Sequence, residues 1–128
     1  MNISKKVTLA LFALLTAVSL NAKDISQDEL QALMKNKEKP LLIDVRTESE
    51  YTSGHVPGAI NIPHKELEQR LAELSGVKNS QVILYCRSGR RADVAKKILV
   101  ENGFTKLDHL TGDYIAWNKQ GLPLVKTK

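Results

Sequence analysis

Gln81-Val82-Ile83-Leu84-Tyr85-Cys86-Arg87-Ser88-Gly89-Arg90-Arg91 sets an apolar, β-rich run directly against a cationic turn that contains a glycine. The run is the length and composition of a buried strand, and Ala92 to Asn102 behind the turn has helical spacing, so the stretch reads as strand, loop, helix N-terminus. Cys86, the only cysteine of the chain, stands at the junction. Free N–H groups of a first helical turn, the positive end of the helix dipole and nearby guanidinium groups all favour an anion there. The thiol is therefore expected to ionise easily and to act as a nucleophile near neutral pH. A lone cysteine is ordinarily a small buried hydrophobe, and arginines can simply be the solvated start of a helix. Here, however, Arg87, Arg90 and Arg91 crowd one sulfur, repel one another and oppose the dipole at a helix N-terminus, which calls for a compensating anion.

Working outward, Leu41-Leu42-Ile43-Asp44-Val45 is apolar without alternation, as in a strand covered on both faces of a parallel sheet. Glu66 to Leu74 carries Leu67, Leu71 and Leu74 at helical spacing, and with the strands on either side it predicts a βαβ unit. A second unit runs from the helix Arg91 to Asn102, with Val94, Ala95, Ile98 and Leu99 on one side, through Gly103 to a strand near Lys106 to Leu110. Tyr114 to Gln120 reads as a closing helix, with Trp117 a core residue. Upstream, Ser26-Gln27-Asp28-Glu29 has the form of a capping box, ahead of a short helix with Leu30, Leu33 and Met34 as its apolar stripe. The expectation is a three-layer α/β domain with a central parallel sheet flanked by helices, whose ligands bind beyond the carboxyl ends of the strands. Cys86 lies at one such end. Asp44 and Arg46 end the other confident strand, where an Arg46 salt bridge that fixes the loop is the simplest role.

The chain has 128 residues, 42% hydrophobic and 26% charged, which suits one globular domain. Lys5 and Lys6 precede the apolar run Val7 to Leu20, and Leu20-Asn21-Ala22 offers a cleavage site. Residues 1–22 thus read as a secretory signal peptide, with residues 23–128 as the mature domain in the periplasm; an uncleaved anchor is the alternative. Losing Lys5 and Lys6 takes the formal charge from +5 to +3. A mildly basic protein with its cations gathered at one cysteine fits a small anionic substrate and argues against nucleic acid. After cleavage no membrane attachment is expected.

Three stretches resemble the rhodanese (sulfurtransferase) family: Asp44-Val45-Arg46 with Glu50-Tyr51 and Gly54-His55-Val56-Pro57-Gly58-Ala59-Ile60; Cys86 to Arg91; and Leu110-Thr111-Gly112-Asp113 with Trp117 and Gly121-Leu122-Pro123. The small exported single-domain form of that family is the most similar, including Ala59-Ile60-Asn61-Ile62-Pro63, and the match spans most of a core at about residues 40–125. The resemblance implies a rhodanese fold in which Cys86 takes the sulfane sulfur of thiosulfate, releases sulfite and becomes a persulfide. Cyanide, a thiol or a small thiol-carrying protein would then accept it. Arg87, Ser88, Gly89, Arg90 and Arg91 would bind the donor, Asp44 and Arg46 would support the site, and a monomer without cofactor or metal is expected. Glu50 departs from some larger members, which place an arginine before the tyrosine. His55 reads as a turn residue, and His55, His64 and His109 lack the close pairing of a zinc site. The rival enzyme is a cysteine-dependent phosphatase or arsenate reductase of the same architecture. Such enzymes need an arginine at the sixth position after the cysteine, where this chain has Ala92. A catalytically silent binding or sulfur-carrier module is the remaining alternative.

Overall fold

The computed structural model describes residues 23–127; the signal peptide expected at 1–22 lies outside the described residues. Five strands form one parallel sheet: β1 (Lys23–Ile25), β2 (Leu41–Asp44), β3 (Ile60–Asn61), β4 (Val82–Tyr85) and β5 (Leu107–Leu110), in spatial order β1-β5-β4-β2-β3. The helices are α1 (Gln27–Leu33), α2 (Glu48–Ser53), α3 (Arg90–Glu101) and α4 (Asp113–Lys119).

Successive strand residues point to opposite faces, and both faces are covered. Ile43, Val82 and Leu84 pack with Ala92, Ala95 and Leu99 of α3 and with Leu67 and Leu74. Leu42, Ile83 and Tyr85 pack on the other side with Leu30 of α1 and Trp117 of α4. Two covered faces explain why β2 and β4 lack polar alternation. Each fully buried leucine or isoleucine contributes about 1.5–3 kcal/mol of transfer free energy.

Three differences from the sequence reading bear on the site. The helix expected over Glu66 to Leu74 is instead a pair of 3₁₀ segments, His64–Glu66 and Glu68–Val77. Leu71 and Leu74 are three apart, which suits the 3.0-residue turn and still presses Leu74 into the core. α2 occupies part of the loop expected after Arg46, and its N-terminus carries the full reciprocal capping box, between Thr47 and Glu50. At α1, where a capping box was expected, only its first half is present: Ser26 Oγ accepts the Glu29 N–H at 3.1 Å, without the return bond from the Glu29 side chain. Finally, β1 is an edge strand that the sequence reading lacked; it pairs Asp24 with His109 and Ile25 with Leu110. Since all strands are parallel, β2, β4 and β5 end at one edge, where Arg46, Cys86 and Asp113 follow them.

Candidate active site at the carboxyl edge of the sheet

Cys86 leaves β4 with its side chain 1% exposed. The chain then curls so that the Gly89 N–H donates to Sγ at 3.0 Å. Gly89 is the N-cap of α3 at φ 117°, a left-handed conformation that glycine adopts without a Cβ penalty. A Cβ there would also meet Asp113 Oδ2 at 3.4 Å. The left-handed turn is what requires glycine here; the Cβ contact with Asp113 is an ordinary one. The geometry directs a backbone dipole and the first turn of α3 at the sulfur, which favours negative charge on it.

The other wall of the loop is α4. Asp113 has φ 55° and is the only non-glycine among the described residues with positive φ. Its carboxylate, 2% exposed, accepts the Cys86 N–H on Oδ1 at 3.0 Å and bonds His109 Nε2 at 2.8 Å. The Tyr114 N–H donates to the Cys86 carbonyl at 3.0 Å and the Ile115 N–H to that of Arg87 at 3.2 Å. Donors at the start of α4 that lack helical partners therefore hold the cysteine loop. Sequence reading placed Asp113 in a family motif but gave it no role, and it treated His109 only as part of a metal set. The separation of 27 positions between Cys86 and Asp113 left no local signal; a charged residue directly after Gly112 was the one available hint.

The arginines divide. Arg91, expected to grip the donor, has its guanidinium engaged by Glu50, with Nη1–Oε1 at 2.6 Å and Nη2–Oε2 at 3.0 Å. This bidentate bond holds the Glu50 carboxyl down at about 2, burial working against it and Thr47 assisting. The Glu50 bond likewise raises Arg91 above the usual guanidinium range, against partial burial, and the Cys86 charge adds to the effect. Glu50 is thus the counter-charge of one loop arginine. Arg87, Ser88 and Arg90 are exposed, and the side chains of Arg87 and Arg90 make no hydrogen bond to a described residue.

Asp44 and Arg46 form a buried pair, 0% and 3% exposed. Asp44 accepts from Arg46 Nη2 at 2.6 Å, from Nε at 3.0 and 3.1 Å and from its backbone N–H at 2.9 Å. Arg46 Nη2 also donates to Gly54 O at 2.7 Å, and its guanidinium lies 4.1 Å from the centroid of the Tyr114 ring. Burial disfavours the Arg46 charge, but the Asp44 bonds and charge outweigh it and raise its pKa. The pair braces the end of β2 against α2 and against Tyr114, which clamps Cys86. This is the loop-fixing salt bridge expected for Arg46. His55 stacks on Tyr51 with centroids 3.7 Å apart, and its Nδ1 lies 2.9 Å from Tyr51 O. Its backbone pairs with Val125. His55 is therefore a packed residue of the β2–β3 connection.

A parallel α/β sheet that offers one cysteine to a cradle of backbone N–H groups, with cations at its rim, defines a class of thiol-dependent group-transfer proteins. The sequence profile of the rhodanese-like domain matches residues 26–120. A sulfurtransferase of Allochromatium vinosum is 34% identical over 102 residues, covering 80% of this chain and 94% of that protein. The Escherichia coli thiosulfate sulfurtransferase PspE is 46% identical over 70 residues, 55% of this chain and 67% of the relative. The crystal structure of a Pseudomonas aeruginosa thiosulfate sulfurtransferase superposes with a TM-score of 0.72 at 27% identity, covering 84% of this chain; the chain spans only 21% of that longer protein. The chain belongs to the rhodanese-like family, and these relatives place it among transferases of the rhodanese type.

Proposed function

We propose that this protein transfers sulfane sulfur from thiosulfate to cyanide or a thiol through a persulfide on Cys86. The Cys86 sulfur attacks the outer sulfur of thiosulfate; the S–S bond of the donor breaks and sulfite leaves with the bonding pair. The acceptor then attacks the outer sulfur of the persulfide, forming thiocyanate or a new persulfide and returning the cysteine as thiolate. Two displacements in sequence give ping-pong kinetics. The observation that carries the reading is the Gly89 N–H on Sγ at 3.0 Å: the same cradle stabilises the charge on the outer sulfur of a persulfide. Exposed Arg87 and Arg90 are the cations free to meet the sulfonate end, and Ser88 and Gly89 supply the loop between them. PspE, named for thiosulfate, supports that donor.

The phosphatase alternative is weakened by the loop itself, because Arg91, the arginine nearest the position such an enzyme needs, is bound to Glu50. We place the mature protein in the periplasm as a monomer, with a small thiol or thiol-carrying protein as acceptor. The test is direct: the purified protein forms thiocyanate and sulfite from thiosulfate and cyanide, and after thiosulfate alone its intact mass rises by one sulfur atom. Cys86→Ala abolishes both. Equal turnover by the variant would remove Cys86 from the mechanism, and hydrolysis of an aryl phosphate without sulfur transfer would favour the phosphatase.

A further inference from the structure

The backbone of Cys86 is held by a carboxylate that is itself held by a histidine, and nothing in the sulfur chemistry above uses either group. Asp113 Oδ1 sits between the Cys86 N–H at 3.0 Å and His109 Nε2 at 2.8 Å, while Oδ2 faces Gly89. An ionised carboxylate only accepts hydrogen bonds, so Nε2 carries a proton whether the ring is neutral or charged. The titrating nitrogen is therefore Nδ1, which lies 3.5 Å from Asp24 Oδ1 on β1. The ring can gain or lose its charge on the outer side without releasing Asp113 on the inner side.

We propose that His109 is a positioning residue that, through Asp113, fixes the Cys86 loop and sets the electric field at its sulfur according to its own charge. The inference rests on the sulfur-transfer reading only for its kinetic consequence. With His109 protonated, the Asp113 charge is neutralised and the cradle's field at the sulfur is positive. With His109 neutral, a buried negative charge stands directly behind the Cys86 amide and opposes an anionic sulfur and an anionic donor. The position of Asp113 at φ 55°, a costly conformation for a side-chain-bearing residue, is maintained by these bonds. Against His109, β1 presents Asp24 in register and β4 presents Leu84; α4 presents Asp113, and the cysteine loop presents Gly89 at 3.9 Å from Cε1, measured from the position of a Cβ. The two acids outweigh the ring's partial burial and raise His109 above its ordinary 6.5, Asp113 foremost through its hydrogen bond. The positively charged state thus extends further toward neutral pH, and the field at the sulfur weakens as pH rises through that raised value.

The test compares wild type with His109→Gln, which retains a donor for Asp113 but no charge. Two readouts are taken from pH 6 to pH 9: the rate of Cys86 alkylation by iodoacetamide, followed by intact mass, and kcat/KM for thiosulfate. Because the chain has one cysteine, alkylation reports a single sulfur and needs no sulfur transfer. Wild type should exceed the variant about five- to tenfold at pH 6, and the two should converge to within about twofold at pH 9, as expected of one charge acting at short range in a partly screened site. Asp24→Asn, a substitution of a largely exposed side chain, removes one of the two acids beside the ring, so His109 should lose its charge at lower pH and the variant's alkylation rate should fall below that of wild type around neutral pH; this comparison serves if His109→Gln does not fold. A wild-type-to-variant ratio that is independent of pH, or an Asp24→Asn profile identical to wild type, overturns the proposal. Absence of thiosulfate turnover together with a pH-dependent alkylation ratio sinks the sulfur-transfer reading and leaves the positioning role standing. Turnover with a flat ratio does the reverse.

Discussion

Glu50→Gln tests whether the rim of the site is set by a counter-charged arginine. The substitution keeps the shape of the side chain and an oxygen for the Thr47 N–H, which Glu50 Oε1 accepts at 3.2 Å, but it discharges the partner of Arg91. The fall of the Glu50 carboxyl from 4.5 to about 2 sets an upper limit of about 3.5 kcal/mol, at roughly 1.4 kcal/mol per tenfold change in proton affinity. The two side chains are 25% and 30% exposed, and solvent screening reduces the stabilisation to about 1 kcal/mol. A depressed carboxyl stabilises the fold fully above its unfolded value near 4.5 and loses that contribution as pH falls toward 2. Urea unfolding followed by the fluorescence of the single tryptophan, Trp117, should therefore show the variant less stable by about 1 kcal/mol at pH 7, with the gap narrowing below pH 4.5. Arg91, released within the field of Cys86, should raise kcat/KM for thiosulfate about two- to fivefold. Equal unfolding midpoints at pH 7, or a gap that stays constant down to pH 3, would show that the Glu50–Arg91 pair does not stabilise the fold.

Two further outcomes concern the brace and the rim. Arg46→Met leaves the fully buried Asp44 charge without its guanidinium and should cost about 3–5 kcal/mol, read as a drop in urea midpoint; Asp44→Asn combined with Arg46→Met should recover much of it, and strict additivity of the two losses would contradict a paired origin. Arg90→Ala should lower kcat/KM for thiosulfate about 10- to 100-fold, the loss of one charged hydrogen bond of roughly 1.5–3 kcal/mol, with little change in stability because the side chain is exposed. Unchanged kinetics would shift the donor contact to Arg87.

The parts of the molecule legible in the sequence are those whose signal is local. The unbroken apolar run of β4, the left-handed glycine before α3 and the helical stripe behind it lie within about twenty residues and specify strand, turn and helix together. For the same reason the position of Cys86 at a strand end was readable. Elements with little to bury were not: α2 buries none of its residues, and only Ile25 of β1 is buried. The Thr47–Glu50 box was a readable start signal for α2, but the six residues behind it carry no apolar stripe to confirm a helix.

By itself, the sequence determined a covered parallel sheet and a cationic loop around one sulfur, because apolar periodicity and turn chemistry act between near neighbours. How that charge is used follows from contacts made in the folded protein. Glu50 meets Arg91 across 41 residues of chain, and Asp113 reaches the Cys86 amide across 27. Such pairings exist because parallel strands bring their carboxyl ends to one edge, whatever their separation along the chain.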